Sequence, residues 1–305
     1  MKIAVLGAGA MGSIYGGFLS LQHEVWLIDI WQEHVDAINR EGLTVEEGDH
    51  NHRFYPKAVT SAKKVGPVDL VVVFVKSIDT AQALAQNQEL FTPETTVLTL
   101  QNGWGNAEDI LNYVQAEQLL VGTTSHGGNV LGPGKVRQAG RGQTFLGAYS
   151  EGSARAQVIV TALKEAGFTA FVTDNIMEMI WKKLCVNSVI NPITALLNVR
   201  NGYIVDCGQT LALLENLVRE AVMVINTTGI TLDPTAMIAE VQKIAGLTQD
   251  NRSSMLQDVA KKRKTEIERI NGAIVAQGNH TGIATPYHTM MLQLVQALEK
   301  TYLPQ

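Results

Sequence analysis

The stretch that decides the fold is the first twelve residues, Met1-Lys-Ile-Ala-Val-Leu-Gly-Ala-Gly-Ala-Met-Gly12. The apolar, β-branched run Lys2–Leu6 predicts a strand that is buried on both faces. A G-x-G-x-x-G loop follows and opens into an amphipathic segment. In such a loop the glycines allow a tight turn, a close backbone approach to a pyrophosphate, and close packing of helix on strand. The predicted nucleotide-binding residues are therefore Gly7, Ala8, Gly9, Ala10, Met11 and Gly12.

A second predicted strand, Glu24–Asp29, ends in an acidic residue 22 positions after Gly7. This is close to the spacing at which a carboxylate can hold the 2′-hydroxyl of a ribose. The glycine motif alone is weak, but its place between a strand and a helix, together with Asp29, favours a nucleotide cofactor over a glycine turn that binds nothing.

The remainder of the first half alternates between strand and helix patterns. This alternation predicts an α/β fold with a Rossmann-type, doubly wound parallel sheet. Predicted strands are Leu70–Val75, Thr96–Gln101, Leu119–Thr124 and Ala170–Thr173, with an antiparallel pair at Gly134–Ala139 and Thr144–Tyr149. Predicted helices are Ala10–Leu21, Glu33–Glu41, Thr80–Leu90, Asn106–Val114 and Ala154–Ala166.

After Asp174 the pattern changes to helices alone, with predicted breaks at Asn191-Pro192, Asn201-Gly202, Thr228-Gly229, 246–250 and 278–286. We therefore expect a dinucleotide-binding domain over residues 1–173 and an all-helical substrate and catalytic domain over residues 174–305.

Composition narrows the class of protein. The 305 residues are 46% hydrophobic and 17% charged, with a net charge of −5, which is typical of a globular protein and disfavours nucleic acid or an acidic membrane as a partner. No apolar run is long enough to span a bilayer. We expect a cytoplasmic protein, because there is no signal-peptide pattern and the two cysteines form no C-x-x-C motif.

A polar stripe marks the segment Ile180-Trp-Lys-Lys-Leu-Cys-Val-Asn-Ser-Val-Ile-Asn-Pro192. Read as a helix, it places Lys183, Asn187 and Asn191 one above another on one face, while the other residues are mostly apolar. Polar side chains on a buried helix are costly unless they face a polar cleft or bond to each other. A catalytic face and a structural Asn ladder capped by a surface Lys both remain open.

A second candidate pair is Ser254 and Glu266. The two are twelve residues apart, which corresponds to about three helical turns, so they can share one side of a helix. Taken alone this pair is weak, because a Glu on a helix is usually a solvated charge.

The chain resembles the ketopantoate reductases over nearly its whole length, because it carries several of their motifs in the same order. These motifs are Gly7–Gly12, Val75-Lys76, Leu100-Gln-Asn-Gly103, Leu131-Gly-Pro-Gly134, Trp181–Pro192, Asn201-Gly202, Ser253–Asp258 and Thr265–Gly272. The resemblance implies NADPH-dependent reduction of 2-dehydropantoate to pantoate. It implies Lys183 as general acid and Glu266 as its catalytic partner. It further implies that Asn187, Asn191, Asn201 and Ser254 bind substrate and that Lys76 and Asn102 face the cofactor.

The chemistry of these residues agrees with those roles. Hydride addition to a ketone leaves an alkoxide, which a cation must stabilise and protonate. Lys183 suits both tasks once partial burial lowers its pKa toward neutrality. Amide and hydroxyl groups can bind a carboxylate and hydroxyls without adding charge.

The sequence departs from the pattern of this family at a position that bears on the choice of coenzyme. Many NADPH-dependent members carry an Arg at the end of the second strand, where this chain has Asp29-Ile30-Trp31. A carboxylate there repels a 2′-phosphate and binds a free 2′-hydroxyl. NADP(H), implied by the resemblance, and NAD(H), indicated by Asp29, therefore both remain open. Lys76 can still neutralise a phosphate.

Two other functions remain as alternatives. One is an NAD-dependent D-2-hydroxyacid dehydrogenase acting on branched 2-keto acids, and the other is a non-catalytic nucleotide-binding redox regulator. We expect a small-molecule 2-keto acid as ligand and no metal, because no cluster has metal-ligand spacing. The apolar second domain is compatible with a homodimer as well as a monomer.

Overall fold

The computed structural model describes residues 1–150, 152 and 154–303. The chain divides into two compact units. Met1–Gln101 and Gly105–Ile176 form the first, here called the sheet unit, and Asn102–Trp104 and Met177–Gln305 form the second, here called the helical unit. Residues 102–104 thus belong to the helical unit, although they lie on the N-terminal side of the predicted boundary between residues 173 and 174.

The sheet unit consists of strands connected by helices and loops. Its strands are β1 (Lys2–Leu6), β2 (Glu24–Ile28), β3 (Leu43–Glu47), β4 (His50–Phe54), β5 (Lys57–Val59), β6 (Leu70–Val73), β7 (Thr96–Thr99), β8 (Leu119–Thr124), β9 (Gly127–Gly132), β10 (Lys135–Gly140), β11 (Gln143–Ala148) and β12 (Thr169–Val172). Its helices are α1 (Ala10–Leu19), α2 (Gln32–Glu41), α3 (Thr80–Ala85), α4 (Asn106–Leu111) and α5 (Ala154–Glu165).

The described residues of this unit form an eight-stranded sheet with the order β12-β11-β8-β7-β6-β1-β2-β5. Its neighbouring strands are parallel, except that β8 and β11 are antiparallel. The strand order reverses beside β1, where β2 lies on one side and β6 on the other. The carboxyl end of β1 is therefore the topological switch point at which open α/β sheets bind ligands. The predicted Rossmann-type sheet is confirmed.

The predicted antiparallel pair at Gly134–Ala139 and Thr144–Tyr149 is wrong. The first segment, as β10, pairs with β9 and β3 in a separate sheet of order β4-β3-β10-β9, while the second, as β11, pairs with β8 and β12. The sequence pattern does not predict β3, β4, β5 or β9. Strands β4 and β9 expose or half-expose most of their residues, so they lack a clear apolar pattern. The predicted helix Thr80–Leu90 also stops early, because α3 ends at Ala85.

The helical unit contains α6 (Ile176–Leu197), α7 (Tyr203–Asp206), α8 (Gly208–Ile225), α9 (Pro234–Leu247), α10 (Ser254–Ala260), α11 (Ile267–Thr281) and α12 (Pro286–Lys300). The first residue of α6, Ile176, belongs to the sheet unit. The described residues 177–303 include no strand, as predicted. Buried aliphatic side chains from α6, α8, α9, α11 and α12 form the core of this unit. Within the described part of the chain, no helix combines the length and apolar character needed to cross a bilayer.

The predicted helix break at Asn191-Pro192 is also wrong, because α6 continues through Pro192. A proline inside a helix has no N–H to donate to the carbonyl four residues earlier, which here is the carbonyl of Ser188. The Asn271 side chain replaces that donor, with Nδ2 at 2.9 Å from Ser188 O. A side chain from α11 thus satisfies the acceptor that Pro192 leaves unpaired.

Candidate active site

The glycine loop at the end of β1 has the geometry that its sequence predicts. Gly7 has φ +90°, and a Cβ there would lie 2.6 Å from Val75 N. A Cβ on Gly12 would lie 1.8 Å from Gly7 O, whereas a Cβ on Gly9 would meet nothing within 4 Å. Two glycines are therefore required for packing, and the third leaves open space at the N-terminus of α1. The loop is suited to a pyrophosphate, because open backbone and a helix N-terminus favour an anion.

Asp29 fixes the conformation of this loop. Its Oδ2 accepts the N–H of Ala8 at 2.8 Å, and its Oδ1 accepts the N–H of Trp31 at 3.0 Å. The half-buried carboxylate thus has a defined orientation beside the glycine motif. A carboxylate oxygen with one bond can still accept from a hydroxyl. This arrangement suits a free ribose hydroxyl and opposes a phosphate.

Ser13 and His34, which the sequence does not predict as site residues, form hydrogen bonds that hold the glycine loop. Ser13 Oγ donates to Ala8 O at 2.7 Å and lies 3.3 Å from His34 Nε2. His34 Nδ1 accepts the N–H of Gly134 at 2.9 Å, so Nε2 carries the proton and donates to Ser13. Burial lowers the pKa of His34, which favours this neutral form. The sequence gives no signal for this contact, because His34 is 21 positions from Ser13 and 100 positions from Gly134.

Lys76 lies just beyond the carboxyl end of β6. The glycine loop follows the carboxyl end of β1, the parallel neighbour of β6. The adjoining backbone at Phe74 and Val75 is what a Cβ on Gly7 would meet. Lys76 is thus the next residue after backbone that contacts the glycine loop, and its role toward the cofactor stays a prediction. Lys76 is half-buried and precedes a short helical turn, Ser77–Asp79.

In the helical unit, α6 carries the predicted stripe. Lys183 and Asn187 are half-buried, and Asn191 is 5% exposed. Burial lowers the pKa of Lys183 to about 8, and the carboxylate of Glu266 acts against this shift through its negative charge. A lysine in this state can hold a proton at neutral pH and release it to an alkoxide. Cys185, on the same helix, is fully buried in the core.

Ser254 and Glu266 do not share a helix, contrary to our expectation. Ser254 begins α10, which ends at Ala260, and Glu266 is the N-cap of α11. The segment between the two helices contains Lys262 with φ 53°, a left-handed conformation that interrupts any continuous helix. Ser254 is exposed, whereas Glu266 is half-buried.

Backbone and side-chain bonds place Asn201 and the start of α10 together. Asn201 N donates to Asn251 O at 3.1 Å, and its Nδ2 donates to Thr248 Oγ1 at 3.0 Å. Ser253 Oγ accepts the N–H of Leu256 and lies 2.7 Å from Thr194 Oγ1. The loop that carries Ser254 is thus anchored both to Asn201 and to the end of α6 beyond Asn191.

Asn102 lies in the helical unit with Lys183 and Glu266. The adjoining Trp104 donates its N–H to Arg269 O at 2.8 Å, and its ring stacks on Trp181 with the centroids 4.3 Å apart. The helical unit therefore holds every residue predicted to be catalytic or substrate-binding, together with Asn102. Among the described residues, no group of three or more His, Cys, Asp or Glu side chains has the arrangement of a metal site.

Comparisons with known proteins match this chain over nearly its full length. Residues 3–151 match the family described as "Ketopantoate reductase PanE/ApbA", and residues 175–299 match "Ketopantoate reductase PanE/ApbA C terminal". The chain is 36% identical to the 2-dehydropantoate 2-reductase of Halobacterium salinarum, over 98% of this chain and 99% of that relative.

Two solved structures show the same fold. One is a D-mandelate dehydrogenase in a ternary structure with NADH and anilino(oxo)acetate, which is 34% identical with a TM-score of 0.94 over 99% of both chains. The other is the PanE/ApbA family ketopantoate reductase of Ralstonia eutropha, which is 29% identical with a TM-score of 0.91 over 99% of both chains. By sequence over both units, this chain belongs to the ketopantoate reductase family.

Proposed function

We propose that this protein is a 2-dehydropantoate 2-reductase, which uses NAD(P)H to reduce the C2 carbonyl of ketopantoate and form D-pantoate. The observation that carries the proposal is the environment of Lys183. Burial lowers the pKa of its amine to about 8, and the negative charge of Glu266 opposes this shift. Lys183 lies on a helix face that also carries Asn187 and Asn191. Relatives named 2-dehydropantoate 2-reductase, at 30 to 36% identity, support the same reaction.

The roles follow from the chemistry of the side chains. A bound nicotinamide cofactor supplies the hydride. The Lys183 ammonium stabilises the negative charge that grows on the substrate oxygen and then donates a proton to it. Glu266 holds that ammonium in position. The amides of Asn187, Asn191 and Asn201 and the hydroxyl of Ser254 bind the carboxylate and hydroxyl of the keto acid.

The cofactor residues belong to the glycine loop and the strand ends near it. Gly7 to Gly12 and the N-terminus of α1 hold the pyrophosphate, and Asp29 holds a ribose hydroxyl. We propose that NADH is preferred over NADPH, because the Asp29 carboxylate is fixed by two backbone N–H groups and opposes a 2′-phosphate. The D-mandelate dehydrogenase of similar structure was solved with NADH. Lys76 and Asn102 complete the proposed cofactor contacts.

A second candidate is an NADH-dependent dehydrogenase for other D-2-hydroxy acids. Asp29 and the likeness to D-mandelate dehydrogenase favour it. The relatives named 2-dehydropantoate 2-reductase favour ketopantoate instead. A non-catalytic regulator is the least supported alternative, because it has no use for a proton donor such as Lys183.

The test is a comparison of kcat/KM for ketopantoate, 2-ketoisocaproate and phenylglyoxylate, each with NADH and with NADPH. We expect ketopantoate to exceed the other acids by about tenfold or more, because polar groups left unpaired by a less polar substrate weaken its binding. A higher kcat/KM for either of the other acids would establish the second candidate. Tight coenzyme binding without reduction of any 2-keto acid would establish a regulator.

We also propose a cytoplasmic location and a homodimer. Met223, Met290 and Leu294 are about half-exposed on the helical unit, and such apolar side chains are candidates for a subunit interface. Light scattering of the purified protein separates a dimer from a monomer.

A further inference from the structure

Glu299 lies near the end of α12 and is only 4% exposed. Its Oε1 accepts the backbone N–H of Thr265 at 2.6 Å, across 34 positions of sequence. Among the described residues, Glu299 makes no ion pair. Burying a carboxylate costs more than one such hydrogen bond returns. The bond to Thr265 is thus the side-chain hydrogen bond that offsets part of the cost of burying Glu299.

Thr265 is fully buried and immediately precedes Glu266. Its Oγ1 accepts the N–H of Ile267 at 3.2 Å, and Glu266 O accepts the N–H groups of Arg269 and Ile270 at 3.0 Å. The backbone on the C-terminal side of Glu266 is thus fixed by α11 itself. On the N-terminal side, the bond from Thr265 to Glu299 is the matching anchor.

The segment before this anchor bonds back to α10 and forward to α11. Arg263 N donates to Asp258 O at 2.9 Å, and Lys264 Nζ donates to Glu268 Oε2 at 3.2 Å. After α10 ends at Ala260, residues 261–264 are exposed, and Lys262 has a left-handed backbone. One bond from this segment to the C-terminal end of the chain joins Tyr302 OH to Arg263 O at 3.1 Å. The bond to Glu299 therefore joins the residue directly before Glu266 to α12, in addition to the packing of Ile267 and Ile270 in the core.

We propose that Glu299 is a positioning residue, whose carboxylate holds the Thr265 N–H and thereby places the Glu266 carboxylate beside Lys183. The proposal rests on the function proposed above for Lys183 and Glu266. It assigns to α12, which carries none of the predicted site residues, the task of fixing the catalytic pair.

The test compares two substitutions at one position. Glu299→Asp keeps the charge but shortens the side chain, whereas Glu299→Gln removes the charge but keeps an acceptor oxygen at the same reach. Glu220→Asp is the matched control, because Glu220 on α8 is a buried carboxylate that accepts the N–H groups of Tyr287 and His288 at the other end of α12.

Two readouts are measured for each variant. One is kcat for ketopantoate reduction, measured together with the pH profile of kcat/KM. The other is the pH dependence with which acetic anhydride acylates Lys183, followed by mass spectrometry, which requires no knowledge of the substrate. Glu266→Gln gives the reference for complete loss of the carboxylate charge, and thermal unfolding reports whether each variant is folded.

We expect Glu299→Asp to lower kcat by about tenfold to a hundredfold, because small displacements of catalytic groups have effects of this size. The pKa of Lys183 should fall below the wild-type value, because Glu266 normally raises it. Glu299→Gln should retain most of the activity and the wild-type pKa of Lys183. Glu220→Asp should lower the melting temperature without moving either readout.

The proposal is overturned if Glu299→Asp leaves the pKa of Lys183 and kcat at wild-type values while only the melting temperature falls. It is also overturned if the Gln and Asp variants shift Lys183 equally. Failure of the proposed function looks different. In that case the wild-type protein reduces no 2-keto acid, while acylation of Lys183 still responds to Glu299→Asp and Glu266→Gln.

Discussion

Lys183 combines a half-buried position with a nearby negative charge, and the two shift the pKa of its amine in opposite directions. Burial lowers its pKa to about 8, while the carboxylate of Glu266 limits the fall. The sequence alone predicts this balance in outline, because a Lys on an apolar helix must be partly desolvated. Helical periodicity does not identify Glu266 as the opposing charge, since the two residues lie 83 positions apart, and only the family resemblance names this partner.

Removal of the amine tests its role directly. Lys183→Ala should lower kcat by about a hundredfold or more, the low end for loss of general acid catalysis. Lys183→Arg is the matched control, because it keeps the positive charge but does not release a proton at neutral pH. Steady-state kinetics are the measurement, with coenzyme affinity as the check on folding. Near-normal turnover in either variant would exclude Lys183 as the proton donor.

The pH profile follows from the same group. The protonated amine is the acid in the reduction, so kcat/KM for the keto acid should be constant below pH 8 and should fall as the pH rises through about 8. In Lys183→Ala this descending limb should disappear. A wild-type profile that is flat up to pH 10 would contradict the assignment.

The coenzyme preference depends on another single residue, Asp29. Asp29→Asn removes the charge that opposes a 2′-phosphate, and we expect the ratio of kcat/KM for NADPH to that for NADH to rise by about tenfold, as the repulsion between two partly solvent-screened charges implies. Asp36→Asn, an exposed carboxylate on α2, should leave the ratio unchanged. An unchanged ratio in Asp29→Asn would show that another group selects the coenzyme.

At the scale of elements, α6 shows how the tertiary structure overrides a local signal. Asn191-Pro192 predicts a helix end, yet the helix continues because Asn271 Nδ2 bonds to the carbonyl of Ser188. The continuous helix keeps Lys183, Asn187 and Asn191 on one line. The rule about proline is correct for an isolated segment, but it does not include a donor supplied by another helix.

A double-mutant cycle tests this explanation. Asn271→Ala leaves the Ser188 carbonyl without its donor and should lower the free energy of unfolding by about 1 to 3 kcal/mol. Pro192→Ala restores an N–H to the helix, so it should recover about 1 kcal/mol in the Asn271→Ala background but not in the wild type. Denaturant unfolding of the four proteins measures the coupling. Additive effects would rule out the exchange of donors.

At the scale of the whole molecule, a buried histidine links the stability of the helical unit to pH. His288 is fully buried, accepts from Asn271 Nδ2 at 3.0 Å and donates from Nε2 to Leu217 O. Burial lowers its pKa from 6.5 to about 4. Its neutral form therefore connects α8, α11 and α12, and protonation places a second donor against the Asn271 amide.

The sign of the pH effect follows from this depressed pKa. Between pH 6.5 and about 4 the unfolded state binds a proton at His288 that the folded state does not. The free energy of unfolding should therefore fall by about 3 kcal/mol as the pH is lowered through this range. Above pH 6.5 His288 contributes no pH dependence. His288→Gln should flatten the stability profile in this range, as measured by denaturant unfolding, whereas substitution of the exposed His280 by Gln should not. An unchanged slope in His288→Gln would contradict the prediction.

The sequence by itself determined the class of fold and the residues of the proposed chemistry. Gly7 to Gly12 and Asp29 are local in sequence, and their spacing depends on backbone geometry that every nucleotide-binding loop of this kind shares. The stripe on α6 likewise follows from helical periodicity, which needs no tertiary information.

Only the tertiary structure decided which distant groups meet. The separate sheet of β3, β4, β9 and β10, the continuation of α6 through Pro192, and the contacts of His34 and Glu299 all depend on residues far apart in the chain. The reason is physical: a hydrogen bond or a buried charge depends on distance in space, and neither leaves a periodic pattern in the sequence. Local rules therefore predict where a polar group lies on its own element, while packing decides its partner.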